Sequence, residues 1–206
     1  MDILFATTNQ NKIDRVKILI KDENINFISL SDLDYKIEEP EETGGNGVEN
    51  AIIKAQYYFD KLKVKIPVLT QDDTLFLDGV SDEDNPKKDI KLPVIKKYGH
   101  FNNDLAYQYY SDLIKKYNKE YLDFKFLYGH AICFNNFLEG SISILPAKLC
   151  VKANSTKTSG YFLSDMMMVK VDNIWKYYSN LSEEEFIEQN QDMQKSIKNL
   201  LLKLNS

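Results

Sequence analysis

Thr7-Thr8-Asn9-Gln10-Asn11-Lys12 follows a short apolar run and precedes a helical pattern, which places it at a strand-to-helix turn. A helix start offers unpaired amides and the positive end of a dipole, so it suits an anion. Asn9 can donate a hydrogen bond there, and Lys12 adds a point charge for a phosphate. The same residues could instead be an ordinary cap with a solvated lysine, since this is not a Walker-type loop. A second set is acidic: Glu42 in a Gly-rich loop, and Asp72 with Asp73 at the end of another apolar run. Carboxylates beside a phosphate make sense where Mg²⁺ sits between them, because that ion takes oxygen ligands and bridges to phosphates. A carboxylate there could also deprotonate a water. The plainer alternative is a turn-capping Asp pair. The third stretch is Ser159-Gly160-Tyr161-Phe162-Leu163-Ser164-Asp165. An exposed Phe162 near Asp165 could stack on a base and read its edge; the alternative is a core aromatic beside a loop. His100 and His130 lie far apart with no paired ligand spacing and read as structural.

Positioning these groups needs strands that end near one another. Ile3-Leu4-Phe5-Ala6 reads as a buried strand, followed by a helix whose Ile13, Val16, Leu19 and Ile20 share a face. Residues 25–30 read as a second strand. After the acidic, Gly-rich loop at 38–47, Asn46 and Glu49 have capping-box spacing, before a helix with Val48, Ile52, Ala55 and Phe59 inward. Residues 66–70 read as a strand ending at Gln71-Asp72-Asp73, and 81–91 as a surface loop. A helix at about 103–118 would bury Leu105, Tyr109, Leu113 and Tyr117. The period then shortens. Residues 124–134 and 137–145 flank Asn135-Asn136, a two-residue hairpin turn, and 148–153 and 166–171 add strands. A last helix starts near Ser182, with Glu185 completing a capping box and Phe186, Met193, Ile197, Leu200 and Leu204 as its apolar stripe. This order predicts an α/β protein with a mixed sheet and a cleft between two lobes.

Bulk composition narrows the function classes. The 206 residues suffice for one domain with a sizeable core. They are 43% hydrophobic and 28% charged, and no apolar run approaches the roughly 20 residues of a membrane span. The opening Met1-Asp2-Ile3-Leu4-Phe5 is too short and too acidic for a signal peptide, and Cys133 and Cys150 lack redox or metal spacing. Both points suggest a cytoplasmic protein with free thiols. A net charge of −5 argues against duplex nucleic acid as a partner. Arg15 is the only arginine, so one residue alone could offer a bidentate fork.

Taken together, these segments resemble the inosine triphosphate pyrophosphatase family, the RdgB-like pyrophosphatases that remove noncanonical purine nucleotides such as dITP and XTP. Ala6-Thr7-Thr8-Asn9-Gln10-Asn11-Lys12 resembles the opening "AT-x-N-x-x-K". Glu42-Thr43-Gly44 with Glu49-Asn50-Ala51-Ile52-Ile53-Lys54-Ala55 resembles "ETG…ENAxxKA", the most specific match. Pro67-Val68-Leu69-Thr70-Gln71-Asp72 resembles the strand leading to the family's catalytic Asp. Leu92-Pro93 is similar to the "PG" turn, Phe162-x-x-Asp165 to "FGYD", and Trp175-Lys176-Tyr177-Tyr178-Ser179-Asn180-Leu181 to "KTFAEL".

The resemblance implies one ITPase-like domain over residues 1–206, with an elongated mixed β-sheet, flanking helices and two lobes around a nucleotide cleft. It implies Mg²⁺-dependent cleavage of (d)ITP or XTP to monophosphate and pyrophosphate, and a homodimer. Thr7, Thr8, Asn9, Lys12, Arg15, Phe162, Asp165 and Lys176 would bind the nucleotide. Asp72 would activate water with Lys12 beside it, and Glu42, Asp72 and Asp73 would hold the metal. The chain also departs from the pattern. Where the family has a metal-ligand Glu, three residues after the motif lysine, stands Arg15; Asp14 is adjacent but points about 100° away on a helix. A guanidinium could pair with a phosphate in place of the metal. Asp73 replaces a Ser/Thr, and Leu163 and Ser164 replace the "GY". The family's base-reading "SHR" falls near Asn190-Gln191-Asp192-Met193, and no His or Arg follows His130. These losses imply a catalytically impaired nucleotide sensor, of the kind some bacterial antiphage systems pair with an NAD-consuming effector protein. The alternative is an active pyrophosphatase.

Overall fold

Ile3, Leu4 and Phe5 are almost wholly buried, as expected for a strand covered by helices on both faces. In the computed structural model, which describes residues 1–33, 37–87, 89–155 and 161–205, they form β1 (Asp2–Phe5). β1 pairs in parallel with β2 (Asn26–Ser29) and β3 (Val68–Leu77), Leu4 lying opposite Ile28 and Val68. Parallel neighbours need crossover connections, and here α1 (Gln10–Leu19) and α2 (Gly47–Leu62) supply them. α3 (Leu92–Tyr98) and α4 (Asn103–Lys116) follow, Pro93 standing where a first-turn proline loses no hydrogen bond. β4 (Tyr121–Phe134) and β5 (Phe137–Cys150) are joined by the Asn135-Asn136 turn, with Asn135 at φ +52°. α5 (Phe162–Met166), β6 (Met167–Val171), β7 (Ile174–Tyr177), α6 (Glu183–Gln189) and α7 (Gln191–Leu202) complete the chain. The sheet order is β2-β1-β3-β4-β5-β6-β7, a seven-stranded mixed sheet flanked by helices. Among the described residues no helix is long and apolar enough to cross a membrane.

Backbone contacts divide the chain into two units. The first comprises Met1–Asp73, Leu127–Ile144 and Asn190–Ser206. In it α1 buries Ile13, Val16 and Leu19, and α7 buries Met193, Ile197 and Leu200. The Gln194 amide donates to the Leu19 carbonyl at 2.6 Å and fastens α7 to the end of α1. On α2, Ala51 and Ala55 pack against Ala131 and Cys133 of β4. Gly129 permits this close approach, because a Cβ there would lie 2.2 Å from the Gly47 carbonyl carbon. The second unit comprises Thr74–Phe126 and Leu145–Gln189. Its core holds Ala106, Tyr110 and Ile114 of α4, Leu122 and Phe124 of β4, Phe162 and Met166 of α5, and Val169 of β6.

Several expectations change. The 66–70 strand runs on to Leu77, so Asp72 and Asp73 lie within it. The strands expected at 137–145 and 148–153 are one, Phe137–Cys150, because Pro146 interrupts the sequence pattern but not the strand. α4 buries Ala106, Tyr110, Leu113 and Ile114, one residue round from the expected face. α2 turns Asn50, Ala51, Ala55 and Tyr58 inward and leaves Val48, Ile52 and Phe59 half-buried, the small Ala51 and Ala55 taking the close contact with β4. The C-terminal helix is two, parted at Asn190. The Ser182 capping box holds, Ser182 and Glu185 exchanging bonds of 3.1 and 3.2 Å; Asn46 accepts from the Glu49 backbone amide at 3.0 Å, but the Glu49 side chain returns to the Gly45 amide at 2.7 Å, one residue earlier than a capping box requires.

Candidate functional site

Successive side chains of a strand leave opposite faces, and β3 uses this to part its two aspartates. Thr70 and Asp72 share the face covered by α2. The Thr70 hydroxyl donates to the Ala51 carbonyl at 2.6 Å. Asp72, 6% exposed, accepts from the Lys54 ammonium at 2.8 Å and from the Asn50 amide at 3.2 Å, one on each oxygen. Asn50 and Lys54 are four apart on α2 and therefore stand one above the other. Asn50 also accepts from the Gly44 backbone at 2.8 Å, anchoring the acidic loop. Glu42, on that loop, meets the same Lys54 nitrogen at 2.5 Å. Burial works against the Lys54 charge, but the hydrogen bonds and charges of Asp72 and Glu42 outweigh it and hold its pKa above the ordinary lysine value.

Gln71 and Asp73 leave the other face, under α1. β1 stops at Phe5, its last bond to β3 running from the Ala6 amide to the Leu69 carbonyl at 2.8 Å. Lys12 takes up the carbonyl edge beyond, donating to the Gln71 oxygen at 3.3 Å while lying 3.3 Å from the Asp73 carboxylate. Arg15, one turn further along α1, reaches the same carboxylate at 3.7 Å and lays its guanidinium 4.8 Å from the centre of the Tyr128 ring. Burial pushes the Asp73 carboxyl up, but the Lys12 and Arg15 charges outweigh it and hold it below the usual carboxylate range. His130, beside Tyr128 on this face, is 1% exposed and shares a 2.8 Å hydrogen bond with Ser143. Its burial, with the Arg15 and Lys12 charges nearby, overrides the Asp73 charge and depresses its pKa to about 3, so it stays neutral.

At the start of α1, Asn9 is the N-cap, accepting from the Asn11 amide at 3.0 Å. Thr7 accepts from the Asn9 amide at 3.1 Å, and Thr8 is exposed. The first unit thus brings Lys12 and Arg15 together with Asp73, and Glu42 to the Lys54 that holds Asp72, with Thr7 and Asn9 at the start of α1, but the three carboxylates do not converge. Asp73 is turned from the other two by the pleat. Each carboxylate already has a cationic partner, so three negative charges meet Lys12, Arg15 and Lys54. Among the described residues no three His, Cys, Asp or Glu form a group able to hold a metal ion. Mg²⁺ prefers several oxygens with charge to spare, and this set does not fit it.

The second unit corrects the reading of Phe162. The ring is 0% exposed, stacked on Tyr110 at 5.5 Å and edged by Phe101, Tyr107 and Tyr161, so no face is open to a base. Asp165 is likewise buried and accepts from the Tyr107 hydroxyl at 2.7 Å. Lys176 is ion-paired to Glu185. Ser159 and Gly160, the start of that candidate stretch, lie outside the described residues. Near the expected base-reading segment, Asn190 stands at the N-cap position of α7 and Asp192 accepts from the Ile144 amide at 2.8 Å.

Sequence reasoning missed roles for Asn50, Lys54, Gln71 and Tyr128. The four-residue spacing of Asn50 and Lys54 could have paired them. Tyr128 and Arg15 are brought together only by the packing of α1 on the sheet.

Residues 3–87 match the model of the Ham1 family. A dITP/XTP pyrophosphatase of Thermoanaerobacter pseudethanolicus is 32% identical over 126 residues, covering 52% of this chain and 62% of the relative's own length. One of Borreliella burgdorferi is 27% identical over 187 residues, covering 89% and 86%. Solved Ham1 proteins share the fold: that of Coxiella burnetii has a TM-score of 0.72 at 17% identity over both full chains. That of Staphylococcus aureus has a TM-score of 0.66 at 18% identity, covering 100% of this chain and 98% of its own.

Proposed function

Since this chain belongs to the Ham1 family of ITPase-like proteins, we propose that it recognises inosine- or xanthosine-type nucleoside triphosphates as a catalytically impaired sensor. The observation that carries this is the pairing of Asp72. Both its oxygens are held, by Lys54 and by Asn50, and Lys54 also holds Glu42. A carboxylate whose two oxygens accept from an ammonium and an amide is a poor base for a water. A phosphate chain arriving at Lys12 and Lys54 would exchange one anion for another, which is binding without chemistry. The partner would be an effector protein, such as an NAD-consuming enzyme of an antiphage complex, or a second copy of the chain.

The alternative is an active pyrophosphatase releasing the monophosphate and pyrophosphate; the relatives are named dITP/XTP pyrophosphatases. Favouring it, Glu42, Lys54 and Asp72 form one contiguous group, so a ligand that drew Lys54 away would free both carboxylates together. Incubation with dITP and Mg²⁺ separates the readings when binding and pyrophosphate release are both measured. Tight binding without release is expected. Turnover abolished by Asp72→Asn would establish the enzyme instead.

A further inference from the structure

Lys12 and Arg15 are three apart on α1, so they lie on one face of its first turns, where the helix dipole favours anions. Both reach the same carboxylate, Asp73, at 3.3 and 3.7 Å. The longer of these is an ion-pair distance and too long for a strong hydrogen bond, so the Arg15 contact is easily exchanged for a phosphate oxygen. The guanidinium is nonetheless not loose. Its carbon sits 4.8 Å over the Tyr128 ring, and Tyr128 and His130 beneath it are 2% and 1% exposed. A guanidinium held over a buried ring loses little freedom when it takes up a planar or tetrahedral oxyanion.

The charge count gives this a consequence. A polyphosphate brings several negative charges, which a protein must meet with a metal ion or with its own cations. Two cations, Lys12 and Arg15, already stand against the one carboxylate of this face, Asp73, each within 4 Å of it. A divalent ion here would meet no net negative charge and would face a fixed guanidinium. Resting on the nucleotide-binding reading above, we propose that Arg15, with Lys12, supplies the counter-charge for the phosphate chain in place of a divalent cation. This chain then binds triphosphates without Mg²⁺. Asp73 stays as the anchor that aims both cations, and the phosphate joins or replaces it on their outer side.

Titration calorimetry of the full chain with dITP and with inorganic tripolyphosphate, each in EDTA and in Mg²⁺, tests this. Both ligands should bind in EDTA, with Mg²⁺ changing the affinity less than about threefold. Arg15→Gln should weaken binding in EDTA by about tenfold, the loss of one charge-assisted contact. Arg15→Glu should bind only when Mg²⁺ is present. Circular dichroism and melting of each variant would show that it folds, and Arg15→Lys, which keeps the charge, should retain metal-free binding. Wild-type binding of dITP that requires Mg²⁺ would overturn the inference and leave the nucleotide reading standing. So would an Arg15→Gln variant that binds as wild type does in EDTA. Failure to bind dITP in either medium would instead sink the nucleotide reading; tripolyphosphate binding in EDTA would then still support Arg15 as a metal-free phosphate group.

Discussion

The two units treat their candidate ligand residues in opposite ways. In the first, Lys12, Arg15, Lys54, Glu42, Asp72 and Asp73 are joined by charge, and several stay part-exposed. Ion pairs of this kind can exchange partners, since an incoming anion replaces one carboxylate by another oxyanion. In the second, Phe162 and Asp165 are buried and paired with aromatic rings and a tyrosine hydroxyl. A ring stacked on Tyr110 gains nothing by leaving it for a base. The lesson is that the phosphate end of the predicted site is built of exchangeable contacts, and the base end of finished ones.

The sharpest break in that contrast would come from Phe162. If it is core, Phe162→Ala should cost about 4 kcal/mol in urea unfolding, from lost burial and the cavity left behind. Phe162→Leu should cost far less and leave dITP affinity unchanged; a drop in affinity at nearly full stability would restore its stacking role. Lys54 comes next. Lys54→Met leaves Asp72 buried without its ammonium and should destabilise by about 3 kcal/mol, part of which Asp72→Asn should recover in the double variant. A loss near zero would mean that this group is solvated and is not the paired site described above.

His130 offers a smaller and pH-dependent test, because it belongs to the first unit yet behaves like the second. Its folded pKa of about 3 lies below the ordinary histidine value of 6.5. The unfolded chain therefore binds the extra proton first, and stability falls as pH drops below 6.5 toward 3. Between pH 7 and pH 5 the loss should be about 2 kcal/mol. His130→Gln should flatten that slope in denaturation series at the two pH values. An unchanged slope would show that burial does not depress the imidazole in the folded chain.

Much of this was legible in the residues. The apolar runs and caps located most of the helices and strands, and the Asn46–Glu49 spacing found the start of α2, with Ala55 but not Ala51 among the residues expected inward. Thr7 to Lys12 fell at a helix start because cap chemistry is local. What failed was long-range. The extent of β3 and the single run of β5 depend on pairing with neighbouring strands, and the inward face of α4 on the side chains it meets. Two adjacent aspartates look like one acidic site in a sequence; the pleat sends them to opposite faces. Phe162 looks like a ligand platform until Tyr110, fifty-two residues earlier, is found stacked on it.

By itself, then, the sequence determined the types of group present: a lysine and an arginine on one helix face, a lysine and an asparagine on another, and three carboxylates with no His or Arg late in the chain. Charge and spacing are properties of a chain and survive without a fold. Which charges are spent on each other was decided only by tertiary structure. Ion pairs such as Lys54 with Asp72 and Arg15 with Asp73 join residues 18 and 58 positions apart. Their strength depends on distance and burial, which no stretch of sequence carries.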